Sequence, residues 1–330
     1  MEELIKRLTE SYGPSGHEGQ IRETIRAEVE PIADAVHVDT LGNLIASKHG
    51  QGPGKKVMLA AHMDEIGIIV SYVDGNGFLR FQPIGGLDPM ALVGGRVQFA
   101  DGAIGVICAE KRREYSKDPA LSKLYIDVGA ASQDEARERL GQAAGFVRPF
   151  ASLGSRIVAK ALDDRIGCAI LIEVLRRLES TPHEVSIVFS VQEEVGLRGA
   201  RTSAYGLVPD VGLAVDITEA ADTPEAPKLA MELGKGPCVK VMDSGMVAHP
   251  AVKQLLIDAA EAHSIPYQLE VLSRGSTDAA AIQLARSGVP AGCLSIACRY
   301  AHTPSEMVDM ADVKHSVALL LAVLERPIDL

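Results

Sequence analysis

The chain alternates between two kinds of segment: short runs that are apolar throughout, and longer stretches with apolar positions three or four apart. Lys56-Val57-Met58-Leu59-Ala60-Ala61 is of the first kind, the pattern of a strand covered on both faces in a parallel sheet. Val185 to Val191, Val211 to Ile217, Cys238 to Met242, Gln268 to Leu272 and Gly292 to Ala297 also predict strands. Helical spacing predicts helices over Ile166 to Leu178, Gly196 to Tyr205, Pro250 to His263, Thr277 to Arg286 and Met310 to Arg326. The last of these carries Val313, Val317, Leu320, Leu321 and Val323. Near the N-terminus a helical opening segment precedes Ser15-Gly16-His17-Glu18, which has the form of a capping box, with Ile21, Ile25 and Val29 following at helical spacing. Val36 to Asp39 and Leu44 to Ser47 predict two strands joined around Leu41-Gly42-Asn43. Strands alternating with helices argue for an α/β class, a three-layer α/β/α sandwich around a mostly parallel mixed sheet.

From about Gly67 to Ile157 the texture changes. The runs Ile68 to Val73, Phe78 to Phe81, Arg96 to Phe99, Ala103 to Cys108 and Leu124 to Val128 are separated by Asp-Gly, Gly-Asn-Gly and Gly-Gly turns. One helical patch, Ser132 to Leu140, interrupts them. The expectation is a small β-rich domain, residues 68–157, inserted into a discontinuous larger domain of residues 1–67 and 158–330. Within the insert, Glu110-Lys111-Arg112-Arg113-Glu114 reads as a solvated loop whose glutamates offset its basic charge.

A formal charge of -11, from 33 basic and 44 acidic residues, argues against a nucleic-acid or anionic-membrane partner, since phosphate binding needs a positive field. No apolar run approaches the roughly 20 residues of a membrane span, and the opening Met1 to Leu8 lacks the layout of a signal peptide. The five cysteines are an odd, scattered set in mostly apolar stretches, as expected of buried thiols in a reducing cytoplasm.

Metal-binding side chains recur directly after the apolar strands. Met58 to Ala61 runs into His62-Met63-Asp64-Glu65, Val158 to Leu162 into Asp163-Asp164-Arg165, and the strand ending at Val191 into Glu193-Glu194. Leu213-Ala214-Val215 ends at Asp216, and His302 lies beyond Leu294 to Ala297. In open α/β sheets, ligands bind beyond the carboxyl ends of the strands. Taken singly, Asp216 reads as a turn former, Asp163-Asp164 as a cap for the next helix, and Glu193-Glu194 as a solvated turn. Those readings do not explain why acids and histidines recur after buried strands. Two histidines with three carboxylates and no thiolate suit zinc, cobalt or manganese. Three carboxylate charges with a bridging hydroxide balance two divalent ions. On an extended backbone the adjacent Glu193 and Glu194 would face opposite sides. One could then bind a metal while the other deprotonates a water as general base.

Five ordered motifs carry a resemblance that spans nearly the whole chain: His62-Met63-Asp64-Glu65-Ile66-Gly67, Ala161-Leu162-Asp163-Asp164-Arg165-Ile166-Gly167, Gln192-Glu193-Glu194-Val195-Gly196-Leu197-Arg198-Gly199-Ala200, Asp216 and His302-Thr303-Pro304. They closely resemble the tetrahedral (TET) aminopeptidases, relatives of the glutamyl, leucyl and lysyl aminopeptidases of bacteria and archaea. The resemblance implies that His62 and Asp216 hold one metal, that Glu194 and His302 hold the other, and that Asp163 bridges both. Zinc is the first expectation, with cobalt or manganese as alternatives. It further implies that Glu193 is the general base, that Asp64 orients His62, and that the peptide bond after Asp163 is cis. Ser273-Arg274-Gly275-Ser276-Thr277-Asp278 resembles a family segment near the substrate pocket, and reads equally as the start of a helix. Arg299 and Tyr300 could line the same pocket. Asp243-Ser244-Gly245 and His249-Pro250 read as loop, and His17, His37, His49, His183, His263 and His315 lack comparable partners.

The expectation is a cytoplasmic metallo-aminopeptidase acting on short peptides. The resemblance also implies a homo-oligomer that builds dimers, and from them a dodecamer, through the β-rich insert. Deleting the insert should then break assembly and leave the ligand set intact. One rival is a dinuclear-metal hydrolase of another substrate class, a deacylase or an endoglucanase, although glycosidases usually work with two carboxylates and no metal. The other is a non-catalytic scaffold, which would lack a base or a ligand.

Overall fold

The computed structural model describes residues 1–111 and 117–330. Strands β1 (Ala35–Val38), β2 (Leu44–Lys48) and β3 (Lys56–His62) come first, followed by β4 (Gly67–Val73), β5 (Leu79–Ile84), β6 (Arg96–Phe99), β7 (Ile104–Ala109), β8 (Leu124–Asp127) and β9 (Ala143–Val147). Then come β10 (Ala151–Leu153), β11 (Arg156–Ala159), β12 (Glu184–Ser190), β13 (Val211–Glu219), β14 (Cys238–Met242), β15 (Gln268–Val271), β16 (Ala291–Cys298) and β17 (Glu306–Asp309). Eight of them form the main sheet, in the order β1-β2-β12-β3-β13-β16-β14-β15. Its central four, β12-β3-β13-β16, are mutually parallel, so their carboxyl ends share one edge. Antiparallel pairs at β1-β2, β2-β12 and β14-β16 make the sheet mixed.

Both faces of this sheet are covered, which is why the central runs lack polar alternation. In β3, Val57, Leu59 and Ala61 join the core under helices Glu2–Glu10, Gly19–Val29, Leu162–Arg177, Pro250–Ala262 and Met310–Leu324. Met58 and Ala60 face the opposite layer, with helices Arg198–Leu207 and Asp278–Gln283. The predicted three-layer α/β/α arrangement is the one found.

The change of texture after Gly67 is a change of fold. β4, β5, β8, β7, β6 and β9 close, in that order, into an antiparallel barrel with its own core, including Ile68, Leu79, Phe99, Ile107, Ile126 and Phe146. It is a β-rich domain inserted into the α/β domain. β11 then pairs with β10 on one side and β17 on the other in a small separate sheet. The helical patch is a short helix, Gln133–Ala136, continued by one 3-10 turn, Arg137–Arg139. In the basic cluster, Glu110 pairs with Arg80, whereas Arg112, Arg113 and Glu114 lie outside the described residues.

Near the N-terminus a local expectation fails. The helix forms from Gly19, but Ser15 and Glu18 are not a capping box: Glu18 occupies the cap position and makes no side-chain cap bond. Ser15 Oγ donates instead to Asp64 Oδ2 at 2.6 Å, and Glu18 Oε1 accepts from the amides of Gly16 at 2.6 Å and Gln192 at 3.2 Å. Partners distant in sequence outcompete the local ones. The whole segment between the first two helices is bound in this way. Gly13 N–H donates to Glu65 Oε1 at 3.0 Å, and Lys160 Nζ reaches Glu65 Oε2 at 2.6 Å and the Ser11 carbonyl at 3.1 Å. The fully buried Arg165 guanidinium donates to the carbonyls of Leu8 and Ser11 and to Glu65. Among the described residues no helix is long and apolar enough to cross a membrane. All five cysteines are free, and four of them are buried.

Candidate metal centre

His62 closes β3, in register with Ser190 at the end of β12. Asp216 does not end its strand as expected. β13 continues to Glu219 against β16, whereas its pairing with β3 stops at Ala214. Asp216 therefore lies just beyond the last rung shared with β3, where the sheet opens into a crevice.

The chain leaves β11 through Ala161, at φ +53, and the Asp163-Asp164 peptide bond is cis, as the resemblance implies. The two aspartates then divide the work. Asp164 Oδ1 accepts from Gly167 N–H at 3.1 Å and Oδ2 from His62 N–H at 3.2 Å, so the capping role belongs to it. Asp163 is left to face imidazoles, with Oδ1 2.9 Å from His62 Nε2 and Oδ2 3.3 Å from His302 Nε2.

The glutamate pair does not stand on extended backbone. Gln192, at φ +56, ends the strand geometry, and both glutamates sit in the turn that follows. Their amides converge on a single carboxylate: Glu193 N–H donates to Asp64 Oδ1 at 3.0 Å and Glu194 N–H to Oδ2 at 3.3 Å. The side chains nonetheless take different targets. Glu193 Oε2 is 3.9 Å from His62 Nε2, and Glu194 Oε2 is 3.7 Å from His302 Nε2. Asp64 also lies beside His62, but its backbone carbonyl is nearer to Nδ1, at 3.1 Å, than its carboxylate, at 3.5 Å.

Sequence reasoning passed over three residues here. Glu306 is buried and clamps both Asp163 and His302. Its Oε2 accepts from Asp163 N–H at 3.0 Å and its Oε1 from His302 N–H at 2.9 Å. Its signal was an acid just past the His302-Thr303-Pro304 motif. Gly85 and Gly86, taken only as a turn, bring the barrel against Glu194 and His302.

Crowded burial sets the electrostatics. Burial and the nearby Asp163 charge push Glu194 up to about 8. Burial, with Asp163 adding to it, does the same to Asp216. Glu193 is held well above the ordinary carboxylate range by burial and by Asp216 and Asp278. Burial alone would lower the His62 imidazole, but the charge of Glu193 and the bonds to Asp163 and Asp64 carry it well above its usual value. The acids of this cluster outnumber the two histidines that face them.

The sequence matches the M42 glutamyl aminopeptidase family over residues 42–319. The chain belongs to this family. It is a metal-dependent peptide hydrolase, and the M42 fold recurs in its relatives at full length. The lysyl aminopeptidase of Pyrococcus furiosus is 40% identical over 345 residues, 99% of this chain and 98% of that one. An aminopeptidase of the archaeon Desulfurococcus kamchatkensis has a TM-score of 0.94 at 42% identity, with 98% and 94% of the two chains covered. The TET1 peptidase of Pyrococcus horikoshii, which can assemble into a tetrahedron or a large octahedral shell, has a TM-score of 0.87 at 32% identity, covering 98% of each chain.

M42 membership implies divalent metal, and the residues present fit one. His62, Asp163 and Glu194 offer ligand atoms within 4.8 Å of one another, as do His62, Asp164 and Asp216. Glu194 Oε1 is buried with no hydrogen-bond partner among the described residues, as a ligand oxygen kept for a cation would be. In the second group Asp164 already accepts two amides, which leaves Asp163 the better donor. His302 stands in neither group, and nor do His17, His37, His49, His183, His263 and His315; only its Nε2 distances, 3.3 Å to Asp163 Oδ2 and 3.7 Å to Glu194 Oε2, bring His302 to the cluster.

A cavity of about 570 Å³ opens beside the cluster, its wall running from Asp163, Glu193, Asp216 and His302 to Leu272, Arg274 and Tyr300. Of the residues expected there, Arg274, Gly275, Ser276, Thr277 and Tyr300 line it. Arg299 instead forms a two-pronged ion pair with Asp222, both bonds at 2.7 Å. Asp243 belongs to a turn, yet it pairs with the buried Lys240 at 3.2 Å, and His249 occupies the cap position of the helix Pro250–Ala262 without a side-chain cap bond.

Proposed function

We propose that this M42 protein removes N-terminal residues from short peptides with two divalent ions, zinc before cobalt or manganese. His62 and Asp216 would hold one ion and Glu194 and His302 the other, with Asp163 between them. The observation that carries this reading is the division of the Asp163 carboxylate, one oxygen toward each histidine. Bound there, divalent ions supply Lewis acidity that polarises the scissile carbonyl and makes water more acidic.

The chain's own residues do the rest. Glu193, lining the cavity beside His62, takes a proton from water and returns it to the leaving amine. Asp64 keeps both the base turn and His62 in place, and the cavity receives the side chain of the N-terminal residue. We assign residues 1–67 and 158–330 to catalysis and residues 68–157 to oligomerisation, through dimers toward a dodecamer. The assembling TET1 relative supports that assignment. A cytoplasmic location is consistent with five free thiols.

Glu193→Gln tests the chemistry. Hydrolysis of aminoacyl anilides should fall by about 10²–10⁴-fold with metal content unchanged, and a chelator should abolish parent activity. Full activity in Glu193→Gln rules out the assigned base.

A further inference from the structure

The two imidazoles of the centre are held alike, through Nδ1 by a backbone carbonyl. For His62 the carbonyl is that of Asp64, at 3.1 Å. For His302 it is that of Gly86, at 2.9 Å, on the loop that follows β5 in the inserted barrel. A carbonyl can only accept, so Nδ1 donates and a neutral ring offers its lone pair at Nε2. Nε2 is the atom that faces Asp163 and Glu194. The His302 side chain is 44% exposed, so packing contributes little to its orientation.

The loop leaves no room for a side chain. A Cβ on Gly86 would lie 2.9 Å from His302 Nδ1, and one on Gly85 would lie 2.8 Å from Glu194 Oε2 and from Ile66 Cγ2. Gly85 also has φ +76, where a side chain is strained. Each glycine thus abuts one ligand of the same proposed ion. By contrast, a Cβ on Gly75 of the same barrel would meet nothing within 4 Å.

We infer that Gly85 and Gly86 are positioning residues, and that the inserted barrel completes the metal site of Glu194 and His302 while the α/β domain alone builds the site of His62 and Asp216. The inference rests on the two-ion reading above. Against the expectation from sequence, removing the insert would then damage half of the ligand set.

The test is Co²⁺ titration of metal-stripped protein, followed by visible absorption and calorimetry, with oligomer size and circular dichroism as controls. The parent should bind two ions. Gly86→Ala and Gly85→Ala should keep the first at parent affinity and bind the second at least about tenfold more weakly, whereas Gly75→Ala should match the parent. Gly85→Ala approaches the site from Glu194, so the idea stays testable if Gly86→Ala folds poorly. Parent-like uptake of both ions by a folded Gly85 or Gly86 variant overturns the inference, as does equal weakening of both ions. A parent that binds only one ion overturns the two-ion reading instead.

Discussion

Asp64→Asn is the perturbation that best separates positioning from chemistry. The Asp64 carboxylate is buried, accepts from the amides of both Glu193 and Glu194 and from Ser15 Oγ, and lies 3.5 Å from His62 Nδ1. An asparagine keeps the shape but turns one acceptor oxygen into a donor. The less damaging orientation puts the new NH₂ at the Oδ2 position, because the Ser15 hydroxyl can rotate to accept. Glu194 N–H is then left facing a donor. A buried donor without a partner costs about 1–3 kcal/mol, and losing the charge weakens the bond from Glu193 N–H roughly by half. Together these give about 2–4 kcal/mol. Spent on the geometry of base and ligand in the transition state, that lowers kcat by about 30- to 1000-fold. Asp64 does not line the cavity, so KM should change little. The assay is steady-state hydrolysis of aminoacyl anilides at saturating metal, with metal content measured on the same samples. A kcat within threefold of the parent's would show that the base turn does not depend on Asp64.

Glu306→Gln can keep one of its two backbone bonds and should lose about 1–3 kcal/mol of stability with weaker metal retention; unchanged urea midpoint and metal affinity would exclude the clamp. Metal uptake should also release protons. Glu194 and Asp216 titrate near 8 and His302, raised first by its bond to Asp163, near 11, so all three are largely protonated at pH 7 without metal. Ligation needs them unprotonated. Affinity should therefore climb as pH rises toward 8 and drop in acid. Calorimetry in buffers of different ionisation enthalpy reads the number released, and zero net release contradicts the electrostatics.

Most of the sheet was legible because its central strands are apolar on both faces and bounded by turns. The candidate site was legible for a related reason: His62, Asp163, Glu193, Glu194, Asp216 and His302 all line or adjoin one crevice near strand ends. What could not be read were pairings set by tertiary context. Ser15 and Glu18 fit a local capping pattern until Asp64 and Gln192 are known to be neighbours. The divergence of Glu193 and Glu194 was foreseen for the wrong reason, since a turn at Gln192 produces it rather than strand alternation. Glu306 acts through its carboxylate on the backbone amides of Asp163 and His302, and Gly86 through its carbonyl on His302, so the residue types of their partners carry almost no trace of the contacts.

The segment between the first two helices ties the N-terminal helix to the supports of the site. None of the proposed ligands or the base lies in it, yet Arg165 relies on its carbonyls at Ser11 and Gly13, and Glu65 and Asp64 rely on its donors at Gly13 and Ser15. A protease that trimmed the chain to its second helix would leave every catalytic side chain in the polymer. It would also take from the buried Arg165 guanidinium its carbonyl acceptors at Leu8, Ser11 and Gly13, leaving it, among the described residues, only Met63 and Glu65. Inactivation by such clipping would register as loss of fold, with no mark on the residues that do the chemistry.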